Sequence, residues 1–208
     1  FRAPGGQRLR AQRYRVPGDF STAAFPLAAG ALAGEARVDN LPTRSAQGDR
    51  AVLDHLEAFG ATVERGERHA AVRAAPLRGT SIDLRDTPDL FPVLCAVAAH
   101  AEGETVLSGA AHLRYKESDR IRLMVENLRR LGVDARERPD GAVVRGGPVR
   151  AGGPLVTEGD HRIEMAMAVC ALRAEGPLAI DDHECHAVSY PRFLDDFASL
   201  GARLEVRG

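Results

Sequence analysis

The sequence repeats itself three times, and that periodicity bounds what the chain can fold into. An Asp precedes an apolar, helix-like run at Asp19, Asp89 and Asp160, positions 70 and 71 residues apart. A Gly flanked by apolar residues follows each run, at Phe59-Gly60-Ala61, Leu131-Gly132-Val133 and Leu200-Gly201-Ala202. The Asp-to-Gly distances are 41, 43 and 41 residues. Two separate markers on one period imply one supersecondary unit used three times.

The units run over about 13–79, 80–149 and 150–208, each read as strand, helix, strand, helix, strand, strand. A first strand (Tyr14 to Val16, Ser81 to Leu84, Leu155 to Thr157) leads into the Asp, whose carboxylate suits an N-cap. The helix is expected to stop near Gly34, Gly103 or Gly176. A second strand follows (Glu35 to Val38, Glu104 to Leu107, Leu178 to Ile180), then a second helix ending at the Gly corner. Units one and two close with strand pairs, Thr62 to Arg65 with Ala70 to Arg73 and Asp134 to Glu137 with Ala142 to Arg145; unit three offers only Arg203 to Val206. The chain begins at Phe1 without Met, and residues 1–12 carry no periodicity, which reads as a linker or the tail of another domain.

The two helix classes differ. The second helices are amphipathic: in unit two, Ile121, Met124, Leu128 and Leu131 share one face. The first helices are apolar on nearly every face, as in Val93-Leu94-Cys95-Ala96-Val97-Ala98-Ala99. A helix apolar all round is buried all round. The expected fold is therefore α/β: three central parallel helices wrapped by three small sheets and three amphipathic helices. Parallel helices pool the partial positive charge of their N-termini at one end, which suits an anion.

Composition narrows the function classes. A content of 44% hydrophobic and 27% charged residues supports a packed core. A net charge of −1 argues against a broad nucleic-acid surface or a basic membrane anchor. No apolar run approaches the ~20 residues of a membrane span, and no basic-then-apolar leader is visible. Cys95, Cys170 and Cys185 are odd in number and lack zinc-type pairing, so they read as buried thiols in a reducing, cytoplasmic setting.

A repeat protein shows its function where the copies disagree. Unit two carries Arg114-Tyr115-Lys116-Glu117-Ser118-Asp119-Arg120 at the start of its second helix, and unit three carries Asp160-His161-Arg162 at the start of its first. Both place cations where the helix dipole disfavours them by roughly 0.3–1 kcal/mol each. Lys116 is the chain's one lysine against 27 arginines. Lysine is a compact charge whose proton affinity is readily tuned, unlike guanidinium. Pairing with Asp119 and Asp160 is the structural explanation. The functional one is a pocket in which arginines, a lysine and helix ends grip a polyanion, with Asp89 and Glu117 as acid–base groups.

Leu113-Arg114-Tyr115-Lys116-Glu117-Ser118-Asp119-Arg120 and Gly159-Asp160-His161-Arg162-Ile163 resemble the two signature segments of the EPSP synthase (3-phosphoshikimate 1-carboxyvinyltransferase) family. Val16-Pro17-Gly18-Asp19-Phe20-Ser21 and Ser189-Tyr190-Pro191-Arg192-Phe193 are similar as well, so the likeness runs from about Tyr14 to the end. The resemblance implies an inside-out α/β domain of three units. It implies transfer of the enolpyruvyl group of phosphoenolpyruvate to the 5-hydroxyl of shikimate 3-phosphate by addition and elimination, without metal or cofactor. In that scheme Asp89 and Lys116 orient and deprotonate the shikimate hydroxyl, and Glu117 protonates the phosphoenolpyruvate methylene and later takes a proton back. Arg120 and Arg162 bind phosphoenolpyruvate, with His161 in support.

The family's enzyme has two such domains, and this chain resembles the C-terminal one. The resemblance therefore implies an absent N-terminal domain as partner and a fragment inactive by itself. Ser45-Ala46-Gln47 imitates a substrate-binding triplet of the other domain but by position starts a helix. Val188 stands where many members carry a phosphoenolpyruvate-binding lysine, and Glu164 where alanine is usual. Asp181-Asp182-His183-Glu184-Cys185-His186 has no standard zinc spacing and is read as a structural loop. Two other readings stand beside the synthase: a non-catalytic anion-binding module, and an enolpyruvyl transferase acting on a UDP-sugar, against which the Lys-Glu-Ser-Asp-Arg and Asp-His-Arg blocks argue. A phosphate-cyclase relative acting on RNA ends fits the near-neutral charge poorly.

Overall fold

The computed structural model describes residues 2–206. Phe1, which heads the expected linker, lies outside the described residues, as do Arg207 and Gly208 at the end of the third unit.

Three apolar helices form the centre: α1 (Phe20–Ala33), α3 (Phe91–Ala98) and α5 (His161–Ala171). They pack against one another. Every residue of α3 is buried. Removing such aliphatic and aromatic side chains from water stabilises the fold by about 1.5–3 kcal/mol each. α3 and α5 run parallel: Arg162 at the start of α5 reaches Asp89 just before α3, while His100 after α3 donates to the Cys170 carbonyl at the far end of α5 (2.9 Å).

The first sheet holds β1 (Glu35–Asp39), β2 (Thr62–Arg65) and β3 (His69–Arg73) in the order β1-β3-β2, antiparallel throughout. The second holds β4 (Ser81–Asp83), β5 (Glu104–Ser108), β6 (Asp134–Arg138) and β7 (Gly141–Arg145) in the order β4-β5-β7-β6, with β4 and β5 parallel. Three outer helices complete the units: α2 (Val52–Ala58), α4 (Arg120–Arg130) and α6 (Phe193–Ser199). Each ends at an expected Gly corner, where Gly60, Gly132 and Gly201 take φ of 104°, 81° and 95°, a region that disfavours a Cβ.

The third unit is thinner than expected. Leu155 to Thr157 and Leu178 to Ile180 reduce to one parallel bridge, Leu155 to Ile180, and Arg203 to Val206 forms no strand. Among the described residues no closing strand pair lies beside this unit to extend a ladder. Tyr14 to Val16 is not a strand either: Tyr14 and Val16 are 78% and 71% exposed. The chain crosses the end of β1 there instead of running along it, since Asn40 Nδ2 donates to the Val16 carbonyl and Gly18 N to the Asn40 carbonyl.

Two of the three Asp residues cap as expected. Asp19 accepts from Thr22 N and Asp160 from Arg162 N. Asp89 does not: it sits in a 3-10 turn, Pro88–Leu90, with its carboxylate turned away from the α3 backbone toward cations of units two and three.

Candidate active site

The same end of the molecule gathers the six side chains singled out from sequence. Lys116 and Glu117 lie in the loop between a 3-10 turn (Ala111–Tyr115) and α4, not on the helix. Arg114 fixes that loop. Its guanidinium donates to Asp119 and Glu137 (both 3.0 Å) and to the carbonyls of Pro139 and Arg138 on the β6–β7 hairpin (3.2 and 2.7 Å). Asp119 also caps α4 by accepting from Arg122 N (3.0 Å). Arg114 is thus paired with Asp119, as the structural explanation holds.

Arg120 is the hub. It is 1% exposed and all three guanidinium nitrogens are engaged. Nε donates to Asp160 Oδ2 (2.8 Å), Nη1 to Asp89 Oδ1 (2.9 Å) and Nη2 to Glu117 Oε2 (2.7 Å). Asp160 is fully buried, accepts from the Ser118 hydroxyl (3.0 Å) and caps α5. Its pairing with Arg120 agrees with the structural explanation given for the misplaced cations. Lys116 Nζ lies 3.6 Å from Asp89 Oδ1, and Arg162 Nη2 lies 3.5 Å from Asp89 Oδ2.

The electrostatics follow from this packing. Burial works against ionisation of Asp89, but the fields of Arg162, Arg120 and Lys116 outweigh it and hold the carboxyl below the ordinary range. Burial, reinforced by Arg162, lowers the proton affinity of His161 and favours neutral imidazole.

Unit one adds a carboxylate that the sequence reading missed. Asp49 accepts the Ser21 hydroxyl at the start of α1 and feels Arg162. Burial, more than these offset, raises its carboxyl. A Ser in the first turn opposite an Asp was the available signal. Gln47 acts structurally, accepting from Phe20 N (2.8 Å) and donating to the Gly18 carbonyl (3.0 Å).

The acidic run from Asp181 is a surface loop whose last two residues, Cys185 and His186, are buried. Asp181 accepts from Thr157 N and Oγ1 (3.0 and 2.9 Å). Buried Glu164 accepts from the Cys185 thiol (3.0 Å) and from His186 N (2.5 Å), and meets His186 Nδ1 at 2.9 Å. Glu164 therefore clasps this loop rather than merely complementing the helix dipole. No group of three or more His, Cys, Asp or Glu suited to a metal ion occurs among the described residues. Val188 is 82% exposed.

Two clefts, of about 460 and 430 Å³, lie away from Lys116, Glu117 and Arg120. The first is at the ends of α1 and α5 against α6; the second runs from Asp19 to Tyr190. The ionic cluster exposes Lys116, Glu117 and part of Asp89 above buried Arg120 and Asp160, with cations and carboxylates side by side. Such a face can bind an anion and exchange protons with it.

Comparison with known proteins gives a consistent picture. The family model described as EPSP synthase (3-phosphoshikimate 1-carboxyvinyltransferase) matches residues 1–197. A 3-phosphoshikimate 1-carboxyvinyltransferase of Thermococcus kodakarensis is 50% identical over 192 residues, 92% of this chain and 48% of that protein. One from Methanocorpusculum labreanum is 47% identical over 197 residues, 95% of this chain and 47% of that protein. A solved EPSP synthase structure from Acinetobacter baumannii superimposes with a TM-score of 0.85 at 33% identity, covering 98% of this chain and 50% of that one. The chain spans about half the length of the curated relatives it matches. No helix among the described residues is long and apolar enough to cross a membrane.

Proposed function

The chain belongs to the EPSP synthase family, and from that premise we propose that it is the C-terminal half of an enzyme that moves the enolpyruvyl group of phosphoenolpyruvate onto the 5-hydroxyl of shikimate 3-phosphate. The resemblance of residues 113–120 and 159–163 to signature segments of the family's C-terminal domain supports this half. In this reading residues 1–12 are a linker to, or the tail of, an N-terminal domain that supplies the other wall of the cleft, and residues 13–208 are the C-terminal enolpyruvyl-transferase-type domain. The buried thiols suit a reducing cytoplasm.

One observation carries the reading: Lys116, Arg120 and Arg162 converge on Asp89, and Glu117 stands on the same guanidinium. Asp89, kept ionised by these cations, accepts the substrate hydroxyl and orients it. Lys116 beside it removes the proton. Glu117, half-exposed, delivers a proton to the methylene carbon and takes one back on elimination. Arg162 and the outer edge of Arg120 receive the phosphate and carboxylate groups. His161, favoured as neutral imidazole, donates or accepts one hydrogen bond without adding charge.

Addition followed by elimination returns every proton it moves, so two adjacent groups with opposite tasks suffice. Mixed with a separately produced N-terminal half of the same enzyme, the chain is expected to release inorganic phosphate from phosphoenolpyruvate in the presence of shikimate 3-phosphate. Alone it is expected to release none. Lys116→Arg in the mixture is expected to abolish turnover while circular dichroism stays unchanged. Near-normal turnover by that variant contradicts the role given to Lys116.

A further inference from the structure

The cluster holds as many carboxylates as cations: Asp89, Glu117 and Asp160 against Lys116, Arg120 and Arg162. An anion arriving at Arg120 meets a guanidinium already paired on every nitrogen. One of the three carboxylates must yield, and they are not equally able to. Asp160 is fully buried, holds the Ser118 hydroxyl and caps α5, so moving it would unmake a helix start. Asp89 is shared among Lys116, Arg120 and Arg162. Glu117 has a single ion-pair partner among the described residues, Arg120, and its side chain is 49% exposed. Solvent can rehydrate the Glu117 carboxylate as it leaves, while buried Arg120 keeps Asp89 and Asp160 and exchanges only this one partner for the anion.

We propose that Glu117 is a built-in competitor for the anion: its carboxylate holds the outer Nη of Arg120 and gives it up to the phosphate or carboxylate of phosphoenolpyruvate. The acid–base group is then released for proton exchange only when the anion has taken its place. Lys116 lies beside Glu117 in the chain, and Asp89, Asp160, His161 and Arg162 face the same guanidinium cluster. Displacement therefore takes one negative charge off a cluster of three carboxylates and three cations, and the arriving anion replaces it. This inference rests on the reading that Arg120 and Arg162 receive phosphoenolpyruvate.

Calorimetric titration of phosphoenolpyruvate into the chain tests it, comparing the parent, Glu117→Gln and Glu175→Gln. Glu175 makes the same charge change at the far end of α5, where it pairs only with exposed Arg150 among the described residues. Glu117→Gln is expected to bind about two- to fivefold tighter than the parent, and Glu175→Gln to match the parent. Equal or weaker binding by Glu117→Gln overturns the competitor role, as does an equal gain in Glu175→Gln. Absence of measurable binding in all three proteins contradicts the phosphoenolpyruvate reading itself.

Discussion

Arg120 Nε donates to Asp160 Oδ2 across 2.8 Å, with both side chains sealed from solvent. The pair joins the first residue of α4 to the N-cap of α5, and so locks unit two to unit three at the point where the functional side chains meet. Removing Asp160 takes one of three carboxylates from a buried guanidinium and leaves Arg120 Nε–H and the Ser118 hydroxyl without their acceptor. Asp160→Ala is expected to lower stability by about 3–5 kcal/mol, whereas Asp160→Asn keeps a capping side chain and costs less. Urea denaturation of the two variants checks the order.

Glu164 makes a second prediction. Its carboxylate satisfies the Cys185 thiol and two nitrogens of His186 inside the protein. Glu164→Ala strands those donors and is expected to cost about 1–3 kcal/mol, with Glu164→Gln recovering part of it. The same substitution is expected to speed the reaction of Cys185 with a thiol reagent, measured against the parent, where burial and Glu164 both raise the thiol.

Two carboxylates predict opposite pH behaviour. Asp89 is lowered by the net field of its cations, so its ionised form stabilises the fold above the ordinary carboxylate range, and that contribution is lost as pH falls through the lowered value. Asp49 is raised, chiefly by burial, so its ionisation opposes folding, and the opposition is relieved as pH falls through the raised value. Asp49→Asn is expected to exceed the parent in stability at pH 7 and to lose that advantage by about pH 3. Asp89→Asn is expected to be less stable than the parent at pH 7, by a margin that narrows in acid. Denaturation curves at both pH values decide each sign.

Close packing of α1 on the first sheet predicts a steric effect. A Cβ at Gly30 would lie 2.6 Å from both Ala36 N and the Val72 carbonyl oxygen, backbone atoms that cannot step aside. Gly30→Ala is expected to cost about 1–3 kcal/mol by overpacking, visible as a lower thermal midpoint.

The threefold architecture was legible because each unit repeats a buried helix and a Gly corner, and both signals are local. Tyr14 to Val16 was not, because a strand exists only with a partner, and the chain there crosses β1 instead of pairing with it. Asp89 shares its residue type and spacing with two N-caps, yet the Pro88–Leu90 turn aims its carboxylate elsewhere. The anomalous cations Lys116, Arg120 and Arg162 of units two and three do come together in the structure, around Asp89 and Asp160. Asp119 and Glu117 pair with Arg114 and Arg120 from within the same segment, but Asp160 and Asp89 reach Arg120 from 40 and 31 positions away, and a contact at that range is set by the tertiary fold. The pairing of Ser21 with Asp49, 28 positions apart, is non-local in the same way.

The most direct test of the account is arginine side-chain NMR of the labelled chain during a phosphoenolpyruvate titration. The Nε–H signal of Arg162, assigned by its loss in Arg162→Lys, is expected to shift with saturation, accompanied by that of Arg120, while the signal of Arg150 stays still. Movement of Arg150 alone, or no movement of Arg162 and Arg120, would contradict an anion site built from these helix starts.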